Sequence, residues 1–141
     1  MSRSALRVAV VTGGAGGIGQ AIARRLAAQG VAVAVLDRDA ERATKVAGEL
    51  SAEGMRVVGV RSDVREFPSV QAAMAEVRRQ LGPVEILVNN AGWDRIQPFL
   101  ENPPELWDEL IAVNLKGAIY ATRAALDDML GLGRGRLIFI S

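Results

Sequence analysis

The sequence predicts a doubly wound α/β fold, in which helices cover both faces of one parallel sheet. Apolar runs alternate with helical patterns in units of roughly 25 to 30 residues, which is typical of consecutive βαβ crossovers. Half of the 141 residues are hydrophobic but only 4% are aromatic, so the core must consist of Ala, Val, Ile and Leu packed in regular layers. A chain of this length is expected to form one domain.

Five apolar runs are the predicted strands. They cover residues 7–12, 31–37, 56–62, 84–89 and 136–141. The first two runs are apolar on both faces, as strands must be when helices cover both sides of a sheet. Because parallel strands are joined by right-handed crossovers, the expected spatial order is 3-2-1-4-5.

Four helical segments connect these runs. The first is predicted from a glycine cluster to about residue 29, the second over about 39–53 and the third over about 68–81. The fourth is predicted to begin at Asn102 as N-cap, with Pro103 in the first helical position and Glu105 completing a capping box. This helix is expected to continue to about Leu130, before a group of glycines.

The composition excludes several classes of function. The sequence contains no cysteine and no histidine, so a disulfide framework, a Cys/His zinc site, a thiol nucleophile and an imidazole base are excluded, and we predict no metal site. Its 17 basic and 16 acidic residues are interspersed, which does not favour nucleic acid or an anionic membrane as partner. Neither a membrane span nor a signal peptide is recognised. We therefore expect a cytoplasmic protein.

A glycine-rich loop, TGGAGGIG at 12–19, joins the first strand to the first helix. Glycines there let the backbone approach a pyrophosphate, whose charge meets amide groups and the positive end of the helix dipole. The loop follows a predicted strand, opens a helix and is trailed by Asp37 at the end of the second strand, which is the context of a dinucleotide site. A mononucleotide P-loop would need Lys and Ser/Thr where this chain has Gln20 and Ala21.

Asp37 favours one of the two nicotinamide dinucleotides. Its carboxylate can accept hydrogen bonds from a ribose 2′-hydroxyl but repels a 2′-phosphate. Arg38, the next residue, offsets part of that repulsion. The sequence therefore predicts NAD, with NADP as the less favoured alternative.

Three motifs in register resemble those of the short-chain dehydrogenase/reductase family. The family pattern T-G-x-x-x-G-x-G is met by Thr12, Gly13, Gly17 and Gly19. The loop also fits the T-G-x-x-G-x-x-G form of the larger epimerase and dehydratase relatives, so by itself it leaves both branches open. The motif N-N-A-G at 89–92 and the sequence VNLKG at 113–117 favour the smaller dehydrogenases.

The resemblance implies a role for each matching residue. Gly13, Gly17, Ile18 and Gly19 would border the pyrophosphate and adjoining ribose, Asp37 would hold the adenosine ribose, Asp63 and Val64 would flank adenine, and Asn90, Ala91 and Gly92 would lie along the cofactor. Asn114 corresponds to the asparagine that holds a water in the family's proton relay. A polar residue in an apolar helix register must also find partners, and a surface or backbone-bonded asparagine is the alternative.

The family's chemistry also needs a serine and a Tyr-x-x-x-Lys motif, with tyrosinate as general base. The only tyrosine, Tyr120, is followed four positions later by Ala124, so packing is its expected role. Alignment of the fifth strand puts the catalytic serine one position beyond Ser141. Residues 1–141 therefore resemble the cofactor-binding, Rossmann-like half of a chain truncated after strand five, since that strand would otherwise be an uncovered apolar edge.

The resemblance implies an oxidoreductase that transfers hydride between NAD(H) and a secondary alcohol or ketone. The segment 92–99 is similar to hydroxycyclohexanecarboxyl-CoA dehydrogenases and 3-oxoacyl reductases, which adds a hydroxyacyl thioester as a candidate substrate. The 141 residues alone are expected to bind cofactor without turnover. A catalytically silent NAD-binding or scaffold domain is the first alternative, and an epimerase-type relative is the second. A homo-oligomer, a tetramer by resemblance, is expected because the fourth helix carries more apolar surface than one sheet face can cover.

Overall fold

A computed structural model describes residues 6–141, and it confirms the doubly wound α/β fold. In chain order the elements are β1 (Val8–Thr12), α1 (Gly17–Ala28), β2 (Ala32–Asp37), α2 (Ala40–Ala52), β3 (Val57–Arg61), α3 (Phe67–Gln80), β4 (Ile86–Asn89), a 3₁₀ turn (Phe99–Glu101), α4 (Pro104–Ile111), a π-helical turn (Ala112–Lys116), α5 (Gly117–Leu132) and β5 (Arg136–Phe139). The predicted lack of a signal peptide depends on residues 1–5, which lie outside the described residues.

All five strands are parallel, and their spatial order is β3-β2-β1-β4-β5, as predicted. The strand β1 lies in the middle of the sheet, paired with β2 on one side and β4 on the other. The direction of winding reverses between β1 and β4. In open α/β sheets the carboxyl ends of strands diverge at such a switch point and leave a crevice for a ligand.

Two apolar layers hold the helices against the sheet. Alternate residues of β1 face opposite layers: Val8 and Val10 pack with α3 and α5, whereas Ala9 and Val11 pack with α1 and α2. All five residues of β1 are buried. The apolar character of this strand on both faces, from which helices on both sides were predicted, is thus confirmed.

The start of the predicted fourth helix is wrong. The helix α4 begins at Pro104, and Pro103 rather than Asn102 is its N-cap. The Oδ1 atom of Asn102 accepts a hydrogen bond from Gln97 Nε2 at 2.6 Å, and its backbone N–H donates to the carbonyl of Phe99 at 3.0 Å. Because Gln97 and Phe99 use both groups, Asn102 does not form the capping box.

The predicted continuity of the fourth helix is also wrong. After Ile111 the chain makes a π-helical turn, in which the N–H of Gly117 donates to the carbonyl of Ala112. Such turns are rare and occur frequently at functional sites. This one contains Asn114, and it brings Gly117 so close to Val64 that a Cβ atom at position 117 would lie 2.9 Å from Val64 Cγ2.

The strand β5 forms one edge of the sheet. It pairs with β4 from Ile86↔Arg136 to Asn89↔Phe139, and all four of its residues are exposed. Leu137 is 37% exposed and Phe139 57% exposed, so this edge presents apolar side chains. Within residues 6–141 no helix is long and apolar enough to cross a membrane.

Candidate functional site

Two adjoining cavities lie at the carboxyl edge of the sheet, beside the point where β1 and β4 diverge. The first has a volume of about 380 Å³ and the second about 510 Å³. They share Ala91, Gly92 and Trp93. Of the other predicted site residues, Gly13, Asp37, Asp63 and Val64 line the first cavity, and Ile18, Asn90 and Asn114 line the second. Gly17 and Gly19 line neither of these two cavities.

The three glycines of the family pattern have different surroundings. A Cβ atom on Gly13 would lie 2.9 Å from Ala91 Cα, and one on Gly19 would lie 2.3 Å from the carbonyl oxygen of Gly13. A Cβ atom on Gly17 would meet nothing within 4 Å. Gly13 and Gly19 therefore permit close backbone packing, whereas Gly17 leaves open space at the first turn of α1. That all three border a pyrophosphate stays a prediction.

Thr12 joins the glycine loop to the loop that follows β4. Its Oγ1 atom accepts hydrogen bonds from the backbone N–H groups of Asn90 and Ala91, both at 3.0 Å. The side-chain Nδ2 of Asn90 donates in return to the carbonyls of Thr12 and Gly13, at 3.1 and 3.2 Å. Sequence reasoning assigned Thr12 only a place in the motif. Its signal was a hydroxyl at the end of an apolar strand, where a buried polar group needs partners.

The carboxylate of Asp37 is held at the end of β2 by two backbone groups. It accepts from the N–H of Ala15 at 3.2 Å and from the N–H of Asp39 at 3.0 Å. On the other side of the same loop, Arg42 Nη2 and Gln20 Nε2 donate to the carbonyl of Ala15, at 2.9 and 2.8 Å. A carboxylate has about four acceptor positions, so Asp37 retains two for a ligand.

Asp63 is ion-paired with Arg65 at the wall of the first cavity. Arg65 Nε donates to Asp63 Oδ1 at 3.0 Å, and Nη2 donates to Oδ2 at 2.7 Å. These hydrogen bonds hold the pKa of Asp63 below its ordinary value of 3.8, against the smaller opposing effect of burial. Arg65 Nη1 also donates to Glu109 Oε1 of α4 at 3.2 Å. Sequence reasoning missed Arg65 and Glu109, which are 44 positions apart and belong to no motif.

The carboxamide of Asn114 is bonded to the backbone of Trp93. Oδ1 accepts from the Trp93 N–H at 3.0 Å, and Nδ2 donates to the Trp93 carbonyl at 2.9 Å. A Cβ atom on Gly92 would lie 2.8 Å from this Oδ1, so the chain passes close to the carboxamide. The structure thus shows the backbone-bonded asparagine that was the alternative reading of its sequence. Its part in a proton relay stays a prediction.

Two buried polar atoms beside the cavities have no partner among residues 6–141. They are the Oγ atom of Ser62, which belongs to the first cavity, and Oδ1 of Asn89, which belongs to the second. Buried polar groups usually form at least one hydrogen bond, so these two atoms are exceptions to that rule. Tyr120 has the predicted packing role, with its ring centroid 5.3 Å from that of Phe67.

Comparison with known proteins places the chain in a family. The family model for short chain dehydrogenase matches residues 7–141. The chain belongs to the short-chain dehydrogenase family. It is 41% identical over 135 residues to oxidoreductase UcpA of Salmonella typhimurium, covering 96% of this chain and 51% of the relative. It is 38% identical to the (2S)-[(R)-hydroxy(phenyl)methyl]succinyl-CoA dehydrogenase subunit BbsD of Thauera aromatica, covering 96% of this chain and 54% of that one.

Solved structures of short-chain dehydrogenases agree with the fold. A variant of actinorhodin polyketide ketoreductase, solved with NADPH, superimposes with a TM-score of 0.93 at 38% identity, over 100% of this chain and 55% of its own. A gluconate 5-dehydrogenase from Burkholderia cenocepacia, in complex with NADP and tartrate, gives a TM-score of 0.88 at 37% identity, over 94% and 52%. The chain spans about half the length of the relatives that it matches. These neighbours support a nicotinamide cofactor.

Proposed function

We propose that residues 1–141 form the cofactor-binding domain of an oxidoreductase that transfers hydride between NAD(H) and a secondary alcohol or ketone. The observation that carries this proposal is the pair of cavities at the β1/β4 switch point, with the open first turn of α1 beside them. The similarity to the oxidoreductase UcpA and the dehydrogenase subunit BbsD supports this reaction type over an epimerase. BbsD also supports a hydroxyacyl thioester as a candidate substrate.

The site fits a dinucleotide from its adenosine end to its nicotinamide end. Asp37 would accept from the adenosine ribose, while Asp63 and Val64 would flank adenine in the first cavity. The backbone at Gly17 would border the pyrophosphate at the positive end of the α1 dipole. The second cavity, which includes Asn90 and Asn114, would take the nicotinamide. The bound cofactor supplies the hydride donor or acceptor, and these residues hold and orient it.

We propose NAD rather than NADP as the cofactor. The two solved neighbours described above were solved with NADPH and with NADP, which favours NADP. Asp37 argues more strongly against it in this chain, because like charges about 4 Å apart repel by roughly 4 kcal/mol near a protein surface. Arg38 also lines the first cavity and offsets part of this repulsion. The expected net preference for NADH over NADPH is therefore about tenfold in Kd, or about 1.4 kcal/mol.

Equilibrium titration of NADH and NADPH tests this proposal. Wild-type chain should bind NADH about tenfold more tightly, and Asp37→Ser should remove the preference because it retains a hydroxyl without the charge. Asp39→Ser is the matched control, since that carboxylate caps α2 by accepting from Arg42 N–H. Tighter binding of NADPH by wild type would overturn the choice of NAD, and binding of neither would overturn the proposed cofactor site.

We further propose that these 141 residues bind cofactor without turning over substrate. General acid/base catalysis contributes about 10² to 10⁴ in rate, and the single tyrosine, Tyr120, is not followed by a lysine four positions on, as the family's Tyr-x-x-x-Lys motif requires. Incubation with NADH and a panel of ketones and 3-oxoacyl thioesters should give no oxidation above the buffer rate. Oxidation that Tyr120→Phe abolishes would contradict this. A silent NAD-binding or scaffold domain is the second candidate function, favoured by the same observation.

We propose a homo-oligomer, with a tetramer as the form that the resemblance implies. An apolar stripe that runs from α4 through the π-helical turn into α5 supports association. Trp107, Ile111, Leu115 and Ile119 recur every four residues and are 38%, 49%, 57% and 55% exposed. Exposed apolar stripes of this kind mark protein interfaces. Light scattering should give a mass above that of the monomer, and Leu115→Lys should lower it. A monomeric mass for wild type would contradict the proposal. The cytoplasmic location stays a prediction.

A further inference from the structure

We propose that Gln20 and Arg42 are positioning residues that together hold the glycine loop in the conformation that binds NADH. Both act on a single backbone carbonyl, that of Ala15, and neither lines either of the two cavities. This inference rests on the proposed function and concerns the shape of its cofactor site. It predicts that loss of both side chains weakens NADH binding far more than loss of either one, and that the preference for NADH over NADPH falls with it.

The carbonyl of Ala15 accepts hydrogen bonds from side chains on two different helices. Gln20 Nε2 of α1 donates to it at 2.8 Å, and Arg42 Nη2 of α2 donates at 2.9 Å. A carbonyl oxygen has two acceptor positions, so both are occupied. Ala15 is 0% exposed, and a buried carbonyl is costly to leave without a donor. Either side chain can satisfy the carbonyl when the other is absent, so the two contacts are redundant until both are lost.

The peptide group that carries this carbonyl also carries the N–H of Gly16. That N–H donates to the carbonyl of Gly13 at 3.2 Å, and Gly16 is the N-cap of α1. Because a peptide group is planar, its C=O and N–H turn together. Rotation of the Ala15 carbonyl away from the two side chains therefore breaks the bond to Gly13 and displaces the first turn of α1, where we place the pyrophosphate.

Ala15 also connects the glycine loop to Asp37. The N–H of Ala15 donates to Asp37 Oδ2 at 3.2 Å, whereas Oδ1 accepts from the N–H of Asp39, two residues further along. The bond from Ala15 fixes the carboxylate relative to the glycine loop. When Ala15 moves, Asp37 is held only by the bond from its own segment, and its charge can turn away from a 2′-phosphate. Repulsion of NADPH then weakens, because repulsion falls with the distance between like charges.

Titrations of NADH and NADPH against single and double variants measure this redundancy. Gln20→Met and Arg42→Met keep the approximate length of each side chain but remove its donors. Each single substitution should weaken NADH binding about twofold, whereas the double variant should weaken it about tenfold or more, beyond the roughly fourfold product of independent effects. The preference for NADH over NADPH should fall from about tenfold in wild type to about threefold or less in the double variant.

Two comparisons separate this role from the charge of Arg42. Lys45→Met removes one positive charge from the same helix, and it should leave both affinities unchanged because Lys45 is exposed and is not a donor to Ala15. Arg42→Lys keeps the charge and a donor. Combined with Gln20→Met, it should bind NADH within about twofold of Gln20→Met alone, since one donor still reaches the carbonyl.

The inference is wrong if the double variant loses no more than the product of the single variants, or if it weakens NADH and NADPH equally and leaves their ratio at the wild-type value. It is also wrong if Lys45→Met reproduces the loss in Arg42→Met, or if wild type binds both cofactors equally, although the proposed cofactor site would then stand. If wild type binds neither cofactor, the proposed function fails and the inference fails with it. Should the double variant not fold, as judged by circular dichroism, Arg42→Met and Arg42→Lys decide, and an equal loss of NADH affinity in both contradicts the inference.

Discussion

Replacing Gly19 by alanine is expected to destabilise the chain by about 3 kcal/mol. The added Cβ atom would lie 2.3 Å from the carbonyl oxygen of Gly13, 2.7 Å from Gly14 Cα and 2.8 Å from Asn90 Nδ2. Two of these obstacles are backbone atoms, which cannot move without shifting the loop. Overpacking of a close-packed site costs about 1 to 3 kcal/mol, and a backbone obstacle at this distance places Gly19→Ala at the upper end.

Gly17→Ala is the matched comparison, because it adds the same methyl group two residues earlier in the same helix. Neither glycine has a positive φ, so alanine can adopt both backbone conformations. Nothing lies within 4 Å of the Cβ position at Gly17. The stability should therefore stay unchanged or rise by up to about 0.5 kcal/mol, since alanine loses less conformational entropy in a helix. NADH binding should nevertheless weaken about tenfold or more, because the methyl group stands where we place the pyrophosphate.

Urea denaturation and thermal melting at pH 7 measure both substitutions. For a domain of this size a loss of 3 kcal/mol corresponds to a fall in Tm of about 10 °C. The reasoning is refuted if Gly19→Ala melts within about 2 °C of wild type, or if Gly17→Ala is destabilised as much as Gly19→Ala. Unchanged NADH affinity in Gly17→Ala would refute the place assigned to the pyrophosphate.

Three further predictions concern other parts of the fold. Thr12→Val should lower the free energy of unfolding by about 1 to 3 kcal/mol, measured with urea, because two N–H groups lose the hydroxyl that accepts from them; an unchanged midpoint would contradict this. Burial raises the pKa of Glu85, but hydrogen bonds from Arg134 and Arg7 outweigh burial and hold this pKa below 4.5 in the folded chain. Ionised Glu85 therefore stabilises the folded state above pH 4.5, and this contribution is lost as the pH falls through the pKa that Glu85 has in the folded state. The fall in Tm between pH 6 and pH 3 should accordingly be smaller in Glu85→Gln than in wild type, and an equal fall would contradict it. Ile138→Lys should reduce light scattering on heating, because it places a charge on the exposed apolar edge strand; unchanged scattering would show that the edge does not drive association.

The alternation of apolar runs and helical patterns was sufficient to predict the architecture. Val8 to Val11 are apolar at every position, as expected of a strand covered on both faces, and the order expected for right-handed crossovers placed β1 in the middle of the sheet. The context of a dinucleotide site singled out Asp37 at the end of the second strand, and this residue lines the first cavity. That it holds a ribose stays a prediction.

The parts that sequence reasoning missed depend on contacts between distant residues. The sequence around Asn102 fits the local pattern of an N-cap, but the Asn102 side chain accepts a hydrogen bond from Gln97 instead of capping α4. The motif VNLKG covers most of the π-helical turn around Asn114, but its apolar periodicity does not distinguish a π-helical turn from a continuous α-helix. The link from Arg65 to Glu109 exists only because the fold brings the end of β3 to α4. Local patterns cannot determine which of several possible partners a polar side chain will take.

The central claim is that a nicotinamide dinucleotide binds at the carboxyl edge of the sheet, and amide chemical shifts upon addition of NADH test it most directly. Gly13, Gly17 and Gly92 lie at this edge, whereas Gly30, Gly54 and Gly82 lie at the opposite edge, before β2, β3 and β4. We predict saturable shifts of the first group and none of the second. Shifts confined to the second group, or no saturable shift at millimolar NADH, would contradict the account.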